Sequence, residues 1–67
     1  MNGVLRTLRL NRGLTVKEAA QRMGVPTTTL AAAERGERKP DPGNALAIAS
    51  FYGQQVTDIW PVQEQAA

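Results

Sequence analysis

Four glycines divide the sequence into short segments, and each glycine follows a stretch in which apolar residues recur at helical spacing. Gly24 is the clearest case, because it follows Ala20 and Met23, which share one face of a helix. A glycine in this position readily adopts the left-handed conformation that ends a helix. No stretch alternates apolar and polar residues as a half-buried strand does. The sequence therefore predicts an all-α fold made of short helices.

Capping residues indicate where these helices begin. Thr15 and Glu18 form a capping box, in which each side chain accepts the other residue's amide proton, so a helix begins at Val16. Asp41 before Pro42 is typical of an N-cap and a first helical position. The five predicted helices are residues 2–12, a stretch from 16 that stops at Gly24, a stretch after Pro26 that stops at Gly36, residues 42–52 and residues 56–60. We expect residues 1–61 to form one domain and 62–67 a frayed tail.

The apolar residues of these helices predict a small core. The residues expected to face inward are Val4, Leu5, Leu8 and Leu10 of the first helix, Ala19, Ala20 and Met23 of the second, and Leu30 and Ala33 of the third. Thr29 should be partly covered. Arg6 and Arg12 lie between the apolar positions of the first helix, and we expect both to be solvated.

The composition excludes several classes of function. A chain of 67 residues has room for one thin core, and it contains neither cysteine nor histidine. Disulfides, thiolate metal sites and the commonest general base are therefore absent. The carboxylates show no paired arrangement beyond what their helix positions explain, so we predict no enzymatic activity, no cofactor, no metal and no small-molecule ligand. Without a long apolar run or a signal-peptide core, the expected location is cytoplasmic, with no membrane contact.

The charge balance leans weakly towards anionic partners. The sequence contains eight lysines and arginines and six acidic residues, which gives a formal net charge of +2 and a pI of about 9.7. Many proteins carry as much charge, so the positions of the cations matter more than their sum.

The second and third helices have the spacing of a helix-turn-helix. Ala20 is small enough for the two helices to pack closely, and Gly24 makes the turn between them. Val25 and Leu30 then fill the angle between the helices. All four positions hold a residue of the required size, in register.

Longer stretches around this motif resemble a known family. LRTLRLNRGLT, the T-x-K-E-A-A-Q-R-M-G-V run, ERGERKP and AIASFYGQQVTDIWP together look like the Cro and repressor-type helix-turn-helix domain of lambdoid phages and xenobiotic-response-element regulators. The resemblance covers residues 4–61. It implies a compact five-helix lambda-repressor-like domain that binds double-stranded DNA, with the third helix in the major groove.

The resemblance also assigns roles to individual residues. It implies that Ala19 and Ala33, which are smaller than usual for the family, leave volume that aromatic residues near the C-terminus should fill. The implied base-proximal residues are Thr27, Thr28, Thr29, Ala31 and Ala32; the implied phosphate ligands are the amides of Val16 and Lys17 with Arg35, Arg38 and Lys39; the implied structural ion pair is Arg9 with Glu34; and the aromatic residues are Phe51, Tyr52 and Trp60.

Two functions follow as alternatives. The first is a sequence-specific transcriptional regulator on the nucleoid, a Cro-like or minimal repressor of phage or mobile-element origin that binds its operator as a homodimer. The second is a protein-interaction adaptor or antitoxin-like partner, because Val16 and the alanines of the third helix remove polar contacts. In the first case threonine hydroxyls and alanine methyls would read thymine methyls and DNA shape.

Overall fold

The computed structural model describes residues 3–61, and all of its regular structure is helical. The helices are α1 (Gly3–Asn11), α2 (Val16–Met23), α3 (Thr27–Arg35), α4 (Pro42–Phe51) and α5 (Val56–Ile59). The prediction of five short helices and of an all-α fold is confirmed. Residue 2 and the predicted frayed tail, 62–67, lie outside the described residues. None of the helices in 3–61 is long and apolar enough to cross a membrane.

The capping box that opens α2 is formed as the sequence predicts. The Glu18 amide donates to the Thr15 hydroxyl at 3.1 Å, and the Thr15 amide donates to the Glu18 carboxylate at 3.0 Å. These bonds, the backbone amide of Thr15 first, lower the pKa of Glu18. At the other end Gly24 has φ of 76°, a conformation that side chains other than glycine rarely adopt.

The other helix ends follow the same local rules. Pro26 stands at the N-cap of α3, where its missing amide proton leaves no helix bond unmade. The Asp41 carboxylate accepts the amide proton of Asn44 at 2.8 Å and caps α4. α1, α4 and α5 each end one residue earlier than predicted, so residues 12, 52 and 60 lie just outside the regular helices.

The core lies where α3 packs against α1 and α2, with α4 packed against α2 and α5. Leu5, Leu30 and Ile48 have no exposed surface. Tyr52 is buried in the same cluster as the small Ala19 and Ala33. Phe51 and Trp60 are half-buried against this cluster, so only Tyr52 of the three aromatic residues is buried in the core.

Two of the predicted core positions in α1 are wrong. Leu10 is 54% exposed and Val4 is 46% exposed. Leu10 follows the half-buried Leu8 by two residues, and residues two apart in a helix do not face the same way. Leu14, just after α1, is buried instead.

Arg12 is exposed, as expected, but its side chain also contacts α4. Its Nη1 donates to the Phe51 carbonyl at 2.9 Å, and its guanidinium carbon lies 5.0 Å and 5.2 Å from the ring centres of Phe51 and Tyr52. The last carbonyls of a helix lack intrahelical partners and attract cations. Arg12 therefore ties the end of α1 to the end of α4.

Candidate nucleic-acid interface

α2, the Gly24 turn and α3 form the helix-turn-helix geometry that the spacing predicts. The amides of Gly24 and Val25 both donate to the carbonyl of Ala20, at 2.9 Å and 3.1 Å, and so close α2 tightly. Val25 and Leu30 are buried at the junction. The turn is short and hydrogen-bonded, and the orientation of α3 is fixed by the core beneath it.

α3 has a buried face and an outer face. Leu30, Ala33 and Glu34 are buried. Thr27 and Thr28 are exposed, whereas the other three predicted base-proximal residues are half-buried: Thr29, Ala31 and Ala32. The outer face therefore carries only hydroxyl and methyl groups along its first two turns, and nothing on it projects far from the helix.

An ion pair links the buried side of α3 to α1. Arg9 Nε lies 2.8 Å from Glu34 Oε2 and 3.1 Å from Oε1, and Nη2 lies 2.9 Å from Oε1. Arg9 Nη1 also donates to the Leu14 carbonyl at 2.9 Å. Hydrogen bonding to Glu34 raises the pKa of Arg9. The structure thus brings together the two residues that the resemblance paired, and the contact restrains rotation of α3 about its axis.

Tyr52 lies next to this pair. Its hydroxyl is buried and has no hydrogen-bond partner among residues 3–61. Burial is the main cause that raises the pKa of this phenol, and the negative charge of Glu34 adds to it. Tyr52 consequently remains neutral beside the pair.

A groove runs along one flank of the outer face of α3. Its lining consists of Thr28, Thr29, Ala32, Arg38 and Pro40. An adjoining depression on the same flank is lined by Arg38, Lys39 and Asn44 of α4. Arg38 lines the groove and the depression, whereas Lys39 lines the depression alone, together with Asp41. Both cations are exposed, and neither forms an ion pair within residues 3–61. Asn44 was missed by sequence reasoning, because only the packing of α4 brings it here.

A second groove lies on the opposite flank. It is lined by Arg6, Val16, Ala31, Glu34 and Arg35. At about 100° per residue, Ala31 and Ala32 diverge to the two sides of the line through Thr28, which accounts for the separation of the grooves. Arg6 belongs to α1, and sequence reasoning placed it in solvent away from any site.

Arg35 is engaged by a neighbouring carboxylate. Its Nε lies 2.8 Å from Glu37 Oε2 and its Nη2 lies 3.1 Å from Oε1. The two side chains are 56% and 60% exposed. Hydrogen bonding between them lowers the pKa of Glu37 and raises that of Arg35. Arg35, a predicted phosphate ligand, is therefore already paired with the carboxylate of Glu37.

The start of α2 offers backbone donors. Ala19 makes the first intrahelical bond, to the Thr15 carbonyl at 2.9 Å, which leaves the amides of Val16 and Lys17 ahead of it. Val16 is half-buried and Lys17 is exposed. Such free amides at a helix start favour an anion. Within residues 3–61 no group of acidic side chains is placed to hold a metal ion.

These helices and their turn define a helix-turn-helix domain. A family model described as "Helix-turn-helix" matches residues 5–59, and the chain belongs to that family. It is also 33% identical over 60 residues to an uncharacterized HTH-type transcriptional regulator of Methanocaldococcus jannaschii, over 90% of this chain and 91% of the relative. No solved structure matches the chain at a significant level.

Proposed function

We propose that this protein is a sequence-specific DNA-binding transcriptional regulator that inserts α3 into the major groove. The observation that carries the proposal is the contrast between the two faces of α3. The inner face is fixed by the core and by Arg9, and the exposed cations Arg38 and Lys39 lie beside the outer face. A low-relief helix flanked by cations is well suited to approach base edges closely.

Base recognition in this proposal falls to the outer face of α3. The hydroxyls of Thr27 and Thr28 are exposed and can hydrogen-bond to a base edge or a phosphate. Ala31, Ala32 and the methyl group of Thr29 offer apolar contact to thymine methyls. Because few hydrogen-bond donors are available, the local shape and deformability of the DNA carry part of the specificity.

Phosphate contacts set the register of the protein on the duplex. Arg38 and Lys39 bind the backbone on one flank of α3, and the amides of Val16 and Lys17 bind it at the start of α2. Arg35 joins them once a phosphate takes the place of Glu37. Affinity should therefore fall steeply with salt, because each phosphate contact releases counterions.

The finer assignment is a homodimer that acts as a Cro-like or minimal repressor of phage or mobile-element origin. It rests on the family resemblance. A largely apolar groove lined by Lys39, Pro40, Pro42, Ala45 and Val56 supports a protein contact on the side of α4 and α5. A dimer would recognise two half-sites about one helical turn apart.

Selection of bound duplexes from a random pool tests the proposal. We expect enrichment of a palindromic sequence, and mobility shifts then rank the variants. Thr28→Ala should alter discrimination between sites by about 1–3 kcal/mol, with Thr7→Ala as the matched control on the exposed side of α1. Arg38→Ala and Lys39→Ala should weaken binding to every sequence alike. No enrichment, together with no loss in any of these variants, would overturn the proposed docking.

A protein-interaction adaptor is the second candidate, and an exposed leucine favours it. Leu46 is 60% exposed, on a helix that the DNA model does not use. In that case the purified protein would fail to shift duplex DNA at moderate salt and would bind a defined protein partner. Leu46→Ala would then abolish the partner contact, whereas Thr28→Ala would leave it intact.

A further inference from the structure

We propose that Arg6 of α1 and Arg35 of α3 form a second phosphate-binding site, on the flank of α3 opposite Arg38 and Lys39. The inference rests on the proposed DNA-binding function. The ligand is the phosphodiester backbone of the strand that Arg38 and Lys39 do not reach.

The geometry of the second groove carries the site. Arg6 and Arg35 line the same depression, together with Val16, Ala31 and Glu34. The side chains of Val16 and Ala31 are apolar and do not compete for an anion. Two arginines in the lining of one groove favour a phosphate, because each offers planar hydrogen-bond donors that match its oxygens.

The two carboxylates near the groove do not oppose an anion equally. Glu34 lies in the lining, but three hydrogen bonds from Arg9 neutralise it on the inner side of α3. Glu37 is exposed and holds Arg35 through a contact that solvent screens. Within residues 3–61, the Arg6 side chain forms no hydrogen bond and no ion pair, so its charge is available to a ligand.

The position of the site agrees with the shape of duplex DNA. The major groove is about 12 Å wide and is bordered by one phosphate backbone on each side. With α3 in that groove, its two flanks face the two strands. Arg38 and Lys39 serve one strand, and without Arg6 the lining of the other flank would contain one cationic side chain, Arg35, which is already paired.

The test compares Arg6→Ala with Arg22→Ala, which removes the same charge from an exposed position of α2 that borders neither groove. Fluorescence anisotropy would measure affinity for specific and random duplexes at several salt concentrations. We expect Arg6→Ala to weaken both about three- to tenfold at roughly 0.1 M salt and to reduce the salt slope by about 0.9. Arg6→Lys should keep the slope, and Arg22→Ala should match the wild type.

The outcomes separate the two proposals. If the wild type binds DNA and Arg38→Ala weakens it, but Arg6→Ala behaves like Arg22→Ala, the second site is wrong and the proposed function stands. If the wild type itself fails to bind duplex DNA, both are overturned. Thermal unfolding should be the same for Arg6→Ala and wild type, because the Arg6 side chain has no partner within residues 3–61. Loss of the fold in Arg6→Ala would contradict the proposed site.

Discussion

Two arginine–glutamate pairs of the same chemistry but different burial meet at the end of α3. The last turn of α3 contributes Glu34 to one pair and Arg35 to the other. Arg9–Glu34 and Arg35–Glu37 both have a shortest N–O distance of 2.8 Å. The side chains of Arg9–Glu34, the inner pair, are only 12% and 8% exposed. Those of Arg35–Glu37, the outer pair, are 56% and 60% exposed. Glu34 and Arg35 are adjacent in sequence, yet Glu34 is buried against the core and Arg35 is exposed.

Burial decides what each pair can do. Separating a buried pair leaves a charge without water or partner, so the contact persists and holds α3 against α1. Separating an exposed pair costs little, because water and ions replace the partner. The inner pair therefore acts as a structural restraint, and the outer pair is one that a phosphate can replace.

Removal of one partner from the inner pair should give the largest effect. Glu34→Ala leaves Arg9 unpaired in a poorly hydrated site, and we expect a loss of about 2–3 kcal/mol in the free energy of unfolding. Glu37→Ala, the matched change in the exposed outer pair, should leave the free energy of unfolding nearly unchanged. Urea denaturation of both variants provides the comparison. Equal losses would contradict the distinction between the pairs.

Replacement of both inner partners should cost less than either single change. Arg9→Met with Glu34→Leu removes the two charges together and leaves no unpaired group in the site. A double-mutant cycle by urea denaturation should give a coupling energy of at least about 1 kcal/mol. Additive losses would mean that the two residues stabilise the protein independently of each other.

The outer pair should respond in DNA binding rather than in stability. Glu37→Gln releases Arg35, and we expect affinity for duplex DNA to rise about two- to fivefold, because the ion pair that is removed is exposed and screened. Asp58→Asn removes the same charge from α5 and should raise affinity less. An unchanged or reduced affinity in Glu37→Gln would show that Glu37 does not compete with phosphate.

Acid titration should reveal the outer pair as a small effect. The pKa of Glu37 is lowered by Arg35 in the folded protein, so the pair contributes stability above the pKa of the unfolded state. That contribution disappears as the pH falls through the lowered folded pKa, and it is constant near neutrality. NMR titration should place the Glu37 pKa below that of an ordinary glutamate, and Arg35→Gln should return it upward.

Local features made much of the fold predictable. Thr15 with Glu18, Asp41 with Pro42 and the glycine of the turn each act within a few residues, so their effects are readable from the sequence. Leu10 was misjudged because a leucine among helically spaced residues need not share their face. Helix ends differed by one residue, where the last turn depends on packing.

The site was less predictable, because its parts come from distant segments. Arg12 bonds to Phe51, 39 residues away, and Arg6 reaches the flank of α3 only through the packing of α1. The Arg9–Glu34 pair was available only through the family resemblance, since it joins residues 25 apart. Glu37 is only two residues from Arg35 in sequence, but the sequence does not show that their side chains form a pair, because that depends on side-chain conformation.

The central claim is that the outer face of α3 contacts DNA while its inner face stays fixed. NMR titration of isotope-labelled protein with duplex DNA measures this residue by residue. We predict that the largest amide shifts fall on Thr28, Ala32 and Arg38, with little change at Ser50 and Gly53 at the end of α4. Shifts confined to α4 and α5, or no shifts at low salt, would contradict the account.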